Sequence, residues 1–162
     1  RQRQMCIRDR DRRIKMIGMI ITGHGSYAPG MTGAMEMIAG EQEKVLTIPF
    51  LQGMSLEDYQ KEIANGIETL TQEGLEIIIF TDLLGGTPYK TAVTSAYDQA
   101  GVEVVSGTNL PMLIESSMLR LGLTAANELV NALLSTGKDG IQQFKIEVSS
   151  NDEEMDDFED GI

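Results

Sequence analysis

The chain alternates between short apolar runs and longer stretches in which apolar residues recur at helical spacing. Nearly unbroken apolar runs are typical of strands that are covered on both faces of a sheet. They occupy residues 16–21, 45–50, 75–81 and 102–106. Helical spacing predicts helices over residues 29–39, 55–74, 88–100, 111–121 and 124–136. Residues 137–140 contain two glycines and predict a break, and residues 141–148 are a candidate last strand.

The second of these helices is the most clearly defined. Ser55 is a candidate N-cap and is followed three residues later by Asp58. Its apolar face is predicted to comprise Leu56, Tyr59, Ile63, Ile67 and Leu70. In the first helix, the spacing places Met31, Met35 and Ile38 on one core-facing side, and the methionines are assigned to packing. Pro49 indicates that the second strand lies at a sheet edge.

This alternation predicts an α/β fold with an open, mostly parallel sheet and helices on both of its faces. Sites in such sheets form beyond the carboxyl ends of the strands, where the strand order reverses. A flavodoxin-like order would place the first and third strands side by side. The last strand follows two helices, so we expect it to pair antiparallel at an edge, on this chain or on another subunit.

Composition narrows the class of protein. The chain has 162 residues, 41% of them apolar, which suits one globular domain. No apolar run approaches the ~20 residues of a membrane span. The single cysteine, Cys6, excludes a disulfide framework, and a cytoplasmic setting is expected. The net charge of -12 argues against nucleic acid as a partner.

Charge also separates the two ends of the chain from its centre. Residues 1–15 carry seven basic and two acidic residues without apolar periodicity, and their MCIRDR string resembles a translated sequencing adapter. We therefore expect a non-native or disordered leader before Met16. Residues 149–162 are acidic and poor in apolar side chains, which predicts a disordered tail. The domain is predicted to comprise residues 16–148.

The candidate chemistry lies at the ends of the first and third strands. His24 is the only histidine of the chain and stands between two glycines after the first strand, and Asp82 follows the third. If these strands are neighbours, the two side chains meet. A carboxylate bonded to one imidazole nitrogen fixes the tautomer and leaves the other nitrogen free, as a nucleophilic histidine requires.

The loop after Asp82 adds a candidate anion site. Gly85, Gly86, Thr87 and Pro88 join the third strand to a helix. Glycines let backbone N–H groups point into a concavity, and a helix N-terminus favours an anion. Each feature alone is common in loops and caps, but together they indicate phosphoryl transfer through a phosphohistidine. The domain has no second histidine or cysteine for a soft-metal site, and no cofactor is expected.

Three segments resemble the IIA domain of the mannose class of the bacterial sugar phosphotransferase system: IITGHG, IIIFTDLLGGTPYKTA and GTNLPMLIES. The resemblance spans roughly residues 16–145. It implies that His24 is phosphorylated, that Asp82 lies beside it, and that Gly25 and the loop 85–88 hold the phosphoryl group. The NxPM segment of the family corresponds to Asn109 and the three residues that follow it.

The resemblance also implies a four-stranded parallel sheet of order 2-1-3-4. A fifth, antiparallel strand, here residues 141–148, is exchanged in a homodimer. The protein would accept a phosphoryl group from the phosphocarrier HPr and pass it to a IIB component, which serves membrane IIC and IID subunits, without metal or nucleotide. A separate IIB is expected because an acidic tail follows the domain. The family often has an aromatic residue shortly after the histidine, whereas here Ser26 and Tyr27 follow Gly25, which departs from the family pattern.

Three alternatives remain open. The related phosphotransferase subunit that serves dihydroxyacetone kinase shares the fold and a histidine at this position. A receiver-like regulatory module would use Asp82 as the phosphoryl acceptor, but it needs an acidic pair at the first strand end, where Thr22, Gly23 and His24 stand. A plain ligand-binding α/β protein would not be phosphorylated. The transported sugar is not encoded in these motifs, since the IIA step does not touch it.

Overall fold

A computed structural model describes residues 16–146 of the chain. Four parallel strands form one sheet in the order β2-β1-β3-β4, as the family resemblance implied. The strands are β1 (Gly18–His24), β2 (Val45–Phe50), β3 (Ile77–Phe80) and β4 (Val102–Val105). Pro49 therefore lies on an edge strand, and β1 and β3 are neighbours, with Ile21 paired to Phe80.

Five helices cover the sheet: α1 (Tyr27–Ala39), α2 (Leu56–Gln72), α3 (Thr87–Ala96), α4 (Leu110–Leu119) and α5 (Ala126–Asp139). The Ser55 hydroxyl accepts the amide of Asp58 at 3.0 Å and so caps α2 as predicted. α3 ends at Ala96, four residues before the predicted end. No helix within residues 16–146 combines the length and the apolar character needed to cross a membrane.

Each face of the sheet supports its own core. Met19 and Ile21 of β1 pack with α1, α4 and α5, whereas Ile20 packs with α2 and α3 on the other face. In β3, Ile78 and Phe80 face the first core while the alternate residues face the second. Because both faces are buried, the strands need apolar residues at consecutive positions, which explains their unbroken apolar runs.

The buried face of α1 is narrower than its spacing predicted. Met35 is fully buried and Met31 packs against the core, but Ile38 is 61% exposed. Met37, also in the methionine-rich stretch, is 90% exposed. The assignment of this helix to core packing therefore holds for its first two methionines only.

The C-terminal part differs from the prediction at one glycine. α5 continues through Gly137 to Asp139, because Gly137 serves close packing and does not end the helix: a Cβ atom there would lie 2.6 Å from Met112 Sδ. Residues 141–146 form no strand within this chain and are exposed. The exchanged strand over 141–148 stays a prediction, and residues 147–148 lie outside the described residues. So do the predicted leader 1–15 and tail 149–162.

Candidate functional site

The predicted site residues meet at the carboxyl edge of the sheet. His24 ends β1, and Asp82 follows β3 by two residues. Thr81, between β3 and Asp82, donates its amide and its hydroxyl to the carbonyl of Val105 on β4, at 2.8 and 2.9 Å. This pairing extends the sheet alignment to the residue before Asp82 and fixes where the carboxylate emerges.

Asp82 binds both the backbone and the ring of His24. One carboxylate oxygen, Oδ2, accepts the backbone amide of His24 at 2.8 Å and lies 2.8 Å from ring atom Nδ1. The other oxygen, Oδ1, accepts the amide of Leu83 at 2.7 Å. A carboxylate only accepts hydrogen bonds, so Nδ1 carries the proton and the neutral ring has its lone pair on Nε2.

The environment keeps Asp82 ionised. Burial raises the pKa of its carboxyl group, but hydrogen bonds from the backbone and ring of His24, the charge interaction with the ring, and the bond from Leu83 outweigh burial, and the pKa is lowered overall. The Asp82 side chain is 14% exposed, whereas that of His24 is 48% exposed. The sheltered carboxylate of Asp82 thus orients the imidazole of His24, which is itself open to solvent.

Aromatic and glycine contacts shape the surroundings of the ring. The Phe50 ring lies edge-on to it, with centroids 6.0 Å apart. Gly25 turns the chain with φ +55° and donates its amide to the Phe50 carbonyl at 2.8 Å. Gly86 approaches from the other loop so closely that a Cβ atom there would lie 3.0 Å from His24 Cε1. The missing side chain at Gly86 leaves the space that the imidazole occupies.

The loop 85–88 lies beside the ring, as the sequence predicted. Gly85 has φ +77°, and Gly86 is the N-cap of α3 and donates its amide to the Leu83 carbonyl at 3.1 Å. Thr87 and Pro88 begin the helix. The amide of Thr87 belongs to the first turn, whose N–H groups have no partner within the helix.

Two helix N-termini lie near His24. In the described chain, α1, α3 and α5 begin without a side-chain cap from the N-cap residue, and the first two of these start three residues after His24 and at Gly86. α2 and α4, by contrast, are capped by Ser55 and Asn109. First-turn amides and the positive ends of two helix dipoles therefore flank the imidazole, an arrangement that favours a bound anion.

Exposed leucines border the site and were not identified from the sequence. They lie on the β2–α2 and β3–α3 loops and form what we call the apolar rim: Leu51, Leu83 and Leu84 are 52%, 59% and 68% exposed. Apolar residues in turns were the only signal in the sequence that could have indicated them. Large exposed apolar side chains beside a reactive group are typical of a protein contact surface.

Two other residues near this edge hold the scaffold together. Asn109 accepts the amide of Met112 at 3.3 Å and donates to the Gly137 carbonyl at 2.8 Å, so it fastens α4 to α5. Tyr27 donates its hydroxyl to the Thr108 carbonyl. Sequence reasoning treated Tyr27 only as a departure from a family pattern. Within residues 16–146, no cluster of three or more His, Cys, Asp or Glu side chains is placed to hold a metal ion.

The sequence profile of a family described as "PTS system fructose IIA component" matches residues 18–134. The chain belongs to the mannose-class EIIA family of the phosphotransferase system. EIIA components are phosphoryl relay proteins of sugar transport and work in general with HPr and a IIB component.

Relatives of this EIIA chain agree in sequence and in structure. The fructose-specific EIIA component of Bacillus subtilis is 30% identical over 127 residues, which cover 78% of this chain and 86% of that protein. The mannose-specific EIIAB component of Escherichia coli is 32% identical over 133 residues, which cover 80% of this chain but 40% of that protein. An EIIA crystal structure from Streptococcus agalactiae superposes with a TM-score of 0.73 and 33% identity, covering 79% of this chain and 97% of that one.

Proposed function

We propose that this EIIA chain carries a phosphoryl group on His24, taking it from phosphorylated HPr and giving it to a IIB component. The observation that carries the proposal is the 2.8 Å contact between His24 Nδ1 and Asp82 Oδ2 beneath a half-exposed ring. It leaves Nε2 as the unprotonated nitrogen within reach of another protein. The same contact stabilises the ring when it gains positive charge.

In the proposed step, the Nε2 lone pair attacks the phosphorus of the donor in line with the leaving group. The Nε2–P bond forms as the bond from phosphorus to the donor breaks, and the donor leaves with that electron pair. The Nδ1 proton stays in its hydrogen bond to Asp82 throughout. Transfer to IIB is the same step in reverse, with the IIB nucleophile attacking phosphorus and His24 as the leaving group.

The surroundings of the ring supply stabilisation for the phosphoryl oxygens. Gly25 and Gly86 shape the phosphoryl site, although their own amides are bonded to the carbonyls of Phe50 and Leu83. The donors assigned to the phosphoryl oxygens are the first-turn amides of α1 and α3, the amides of Gly85 and Thr87, and the Thr87 hydroxyl. Such fixed dipoles stabilise the charge that spreads over the oxygens in phosphoryl transfer. No metal or nucleotide is assigned to the step.

The apolar rim supports a protein as the transfer partner. A small phosphorylated substrate is usually bound by convergent polar groups in a concave site. Here three large leucine side chains are exposed on the loops that follow Phe50 and Asp82, the two residues whose side chains contact the His24 ring, and exposed apolar side chains of this kind are suited to the centre of a protein interface. Protein partners that dock in turn would cover these leucines and exclude water during transfer.

The receiver-like alternative is disfavoured by how Asp82 is occupied. Both of its oxygens accept hydrogen bonds and its side chain is 14% exposed, so it is a poor phosphoryl acceptor. The alternative that serves dihydroxyacetone kinase has no specific support, because the relatives described above carry fructose and mannose names. The exposed nucleophile is therefore assigned to His24 in a sugar system.

Intact-mass measurement tests the assignment. Incubation with phosphoenolpyruvate, enzyme I and HPr should add one phosphoryl group that is labile in acid and stable in alkali. The adduct should be absent in His24→Ala. An adduct that persists in His24→Ala and disappears in Asp82→Ala would establish the receiver-like chemistry instead, and the lack of any adduct would favour the ligand-binding alternative.

A second experiment tests the apolar rim. Leu84→Asp should raise KM for phosphorylated HPr by about tenfold with little change in kcat, because it weakens docking and leaves the chemistry intact. Met37→Asp is the matched control, since Met37 is 90% exposed on α1 outside the rim. Equal KM values for the two variants would show that the rim does not contact the donor.

A further inference from the structure

Tyr27 lies between the two loops that build the site, and the mechanism above does not use it. It is the first residue of α1, three residues after His24, and its side chain is half-buried. A Cβ atom built on Gly23 would clash with Tyr27 Cδ1 and would lie 3.0 Å from Cγ and Oδ2 of Asp82. The tyrosine ring and the carboxylate therefore share the space over one glycine.

The hydroxyl group fixes the far end of the ring. It donates to the Thr108 carbonyl in the loop after β4, and the Thr108 amide in turn donates to the Thr81 carbonyl at 3.1 Å. Tyr27 thus reaches from the end of β1 to the loop beyond β4, across the end of β3 where Asp82 stands. Burial and the nearby charge of Asp82 raise the pKa of Tyr27 to about 12 against the opposing hydrogen bond to Thr108, so the hydroxyl stays neutral.

We propose that Tyr27 is a positioning residue that acts through Asp82: its ring, with or without the hydroxyl bond, fills the space over Gly23 into which the carboxylate would otherwise turn. With that space closed, Oδ2 stays on Nδ1 of His24. Two of the three donors to Asp82 are backbone amides that hold it near its place. The contact to the ring nitrogen is the one that a small rotation of the carboxylate would break.

Water is the competitor that the ring excludes. A carboxylate is strongly hydrated, and admitting water over Gly23 would offer Oδ2 partners other than the imidazole. Once Nδ1 is released, the ring is free to adopt the Nε2–H tautomer. That tautomer places a proton on the nitrogen that should attack phosphorus. The kinetic consequence rests on the proposed function, but the tautomer of the resting protein does not.

The experiment compares three variants of the whole chain by nitrogen-15 NMR of the imidazole. Tyr27→Leu should convert the single Nδ1–H tautomer of the parent protein into a mixture of both forms. Tyr27→Phe keeps the ring and should restore the parent spectrum. Tyr97→Leu is the matched control, because Tyr97 is 84% exposed at the opposite end of α3, and it should change nothing.

Kinetics supply the second measurement. Tyr27→Leu should lower kcat for phosphoryl transfer from HPr by at least about fivefold with KM within about twofold, since positioning affects the transition state and not docking. An unchanged tautomer in folded Tyr27→Leu would overturn the proposal. If that variant does not fold, Tyr27→Met decides in its place by the same spectrum. A parent protein that is never phosphorylated would instead refute the proposed function and leave the tautomer test intact.

Discussion

Replacing Asp82 by asparagine tests the geometry of the site with almost no change of shape. Three donors converge on the carboxylate: the amide and Nδ1 of His24 on Oδ2, and the amide of Leu83 on Oδ1. An asparagine has one acceptor oxygen, so its NH2 group must face one of these two sets. With NH2 toward Leu83, one backbone bond is lost. With NH2 toward His24, Nδ1 must become the acceptor and the proton moves to Nε2.

The magnitude follows from these two orientations. Each loses one backbone hydrogen bond, so the two are similar in energy and roughly half of the molecules have the wrong tautomer. In the other half, which keep the Nδ1–H tautomer, Nδ1 donates to a neutral amide oxygen and no longer to a carboxylate. A charged hydrogen bond of about 1.5–3 kcal/mol is thereby replaced by a neutral one of about 1 kcal/mol. A loss of about 0.5–2 kcal/mol in the transition state lowers the rate about 2- to 30-fold. Since only about half of the molecules have the correct tautomer, we expect kcat to fall about 5- to 60-fold.

Rapid-quench measurement of transfer from saturating phosphorylated HPr gives this kcat, and nitrogen-15 NMR gives the tautomer. Asp98→Asn is the control, because Asp98 is exposed beyond the end of α3 and should behave as the parent protein. A kcat of Asp82→Asn within about twofold of the parent value, with the Nδ1–H tautomer retained, would refute the role given to the carboxylate charge.

Three further predictions concern the loop, the pH dependence and the C-terminal segment. Gly86→Ala should lower kcat about tenfold, because the added Cβ atom would lie 3.0 Å from His24 Cε1. The backbone angles of Gly86 suit alanine, so the free energy of unfolding in urea should fall by less than ~1 kcal/mol. Unchanged transfer would show that the imidazole can move away without loss of activity. Because the pKa of Asp82 is lowered in the folded chain, its stabilising effect is complete above the unfolded pKa of about 3.9 and is lost as pH falls through the folded value. The difference in unfolding free energy between the parent and Asp82→Asn should therefore be constant from pH 7 to about 5 and shrink below about pH 4; a difference that is constant down to pH 2 would contradict this. Deleting residues 141–162 should reduce the sedimentation mass from dimer to monomer, and an unchanged mass would rule out the exchanged strand.

The meeting of His24 and Asp82 could be predicted from the sequence once a flavodoxin-like strand order was assumed, because the meeting depends on topology. Both residues follow apolar runs that are long enough to identify as strands, and the carboxyl ends of parallel strands meet at one sheet edge. The pairing of a histidine with an aspartate then indicated a nucleophilic imidazole oriented by a carboxylate. The strand order brought the residues together, and the 2.8 Å contact is the local result.

The misread positions depend on close packing, which a single sequence does not encode. The sequence predicts a break at Gly137, but this glycine lies inside α5 and allows the close approach of Met112. Tyr27 belongs to the site through a bond to Thr108, a residue far along the chain. Ile38 fits the helical period of α1 but lies outside the narrow face that the sheet covers. In each case a neighbour distant in sequence determines the role.

The double attachment of His24 to one oxygen of Asp82 also sets an order of events. Because Asp82 Oδ2 binds the backbone amide and also ring atom Nδ1 of His24, the imidazole cannot swing between two docking positions without breaking its bond to the carboxylate. Donor and acceptor must then approach Nε2 from the same direction and occupy the same space. On the proposed function, their complexes with this chain would exclude one another, and we expect a ping-pong cycle in which an excess of either unphosphorylated partner acts as a competitive inhibitor of the other.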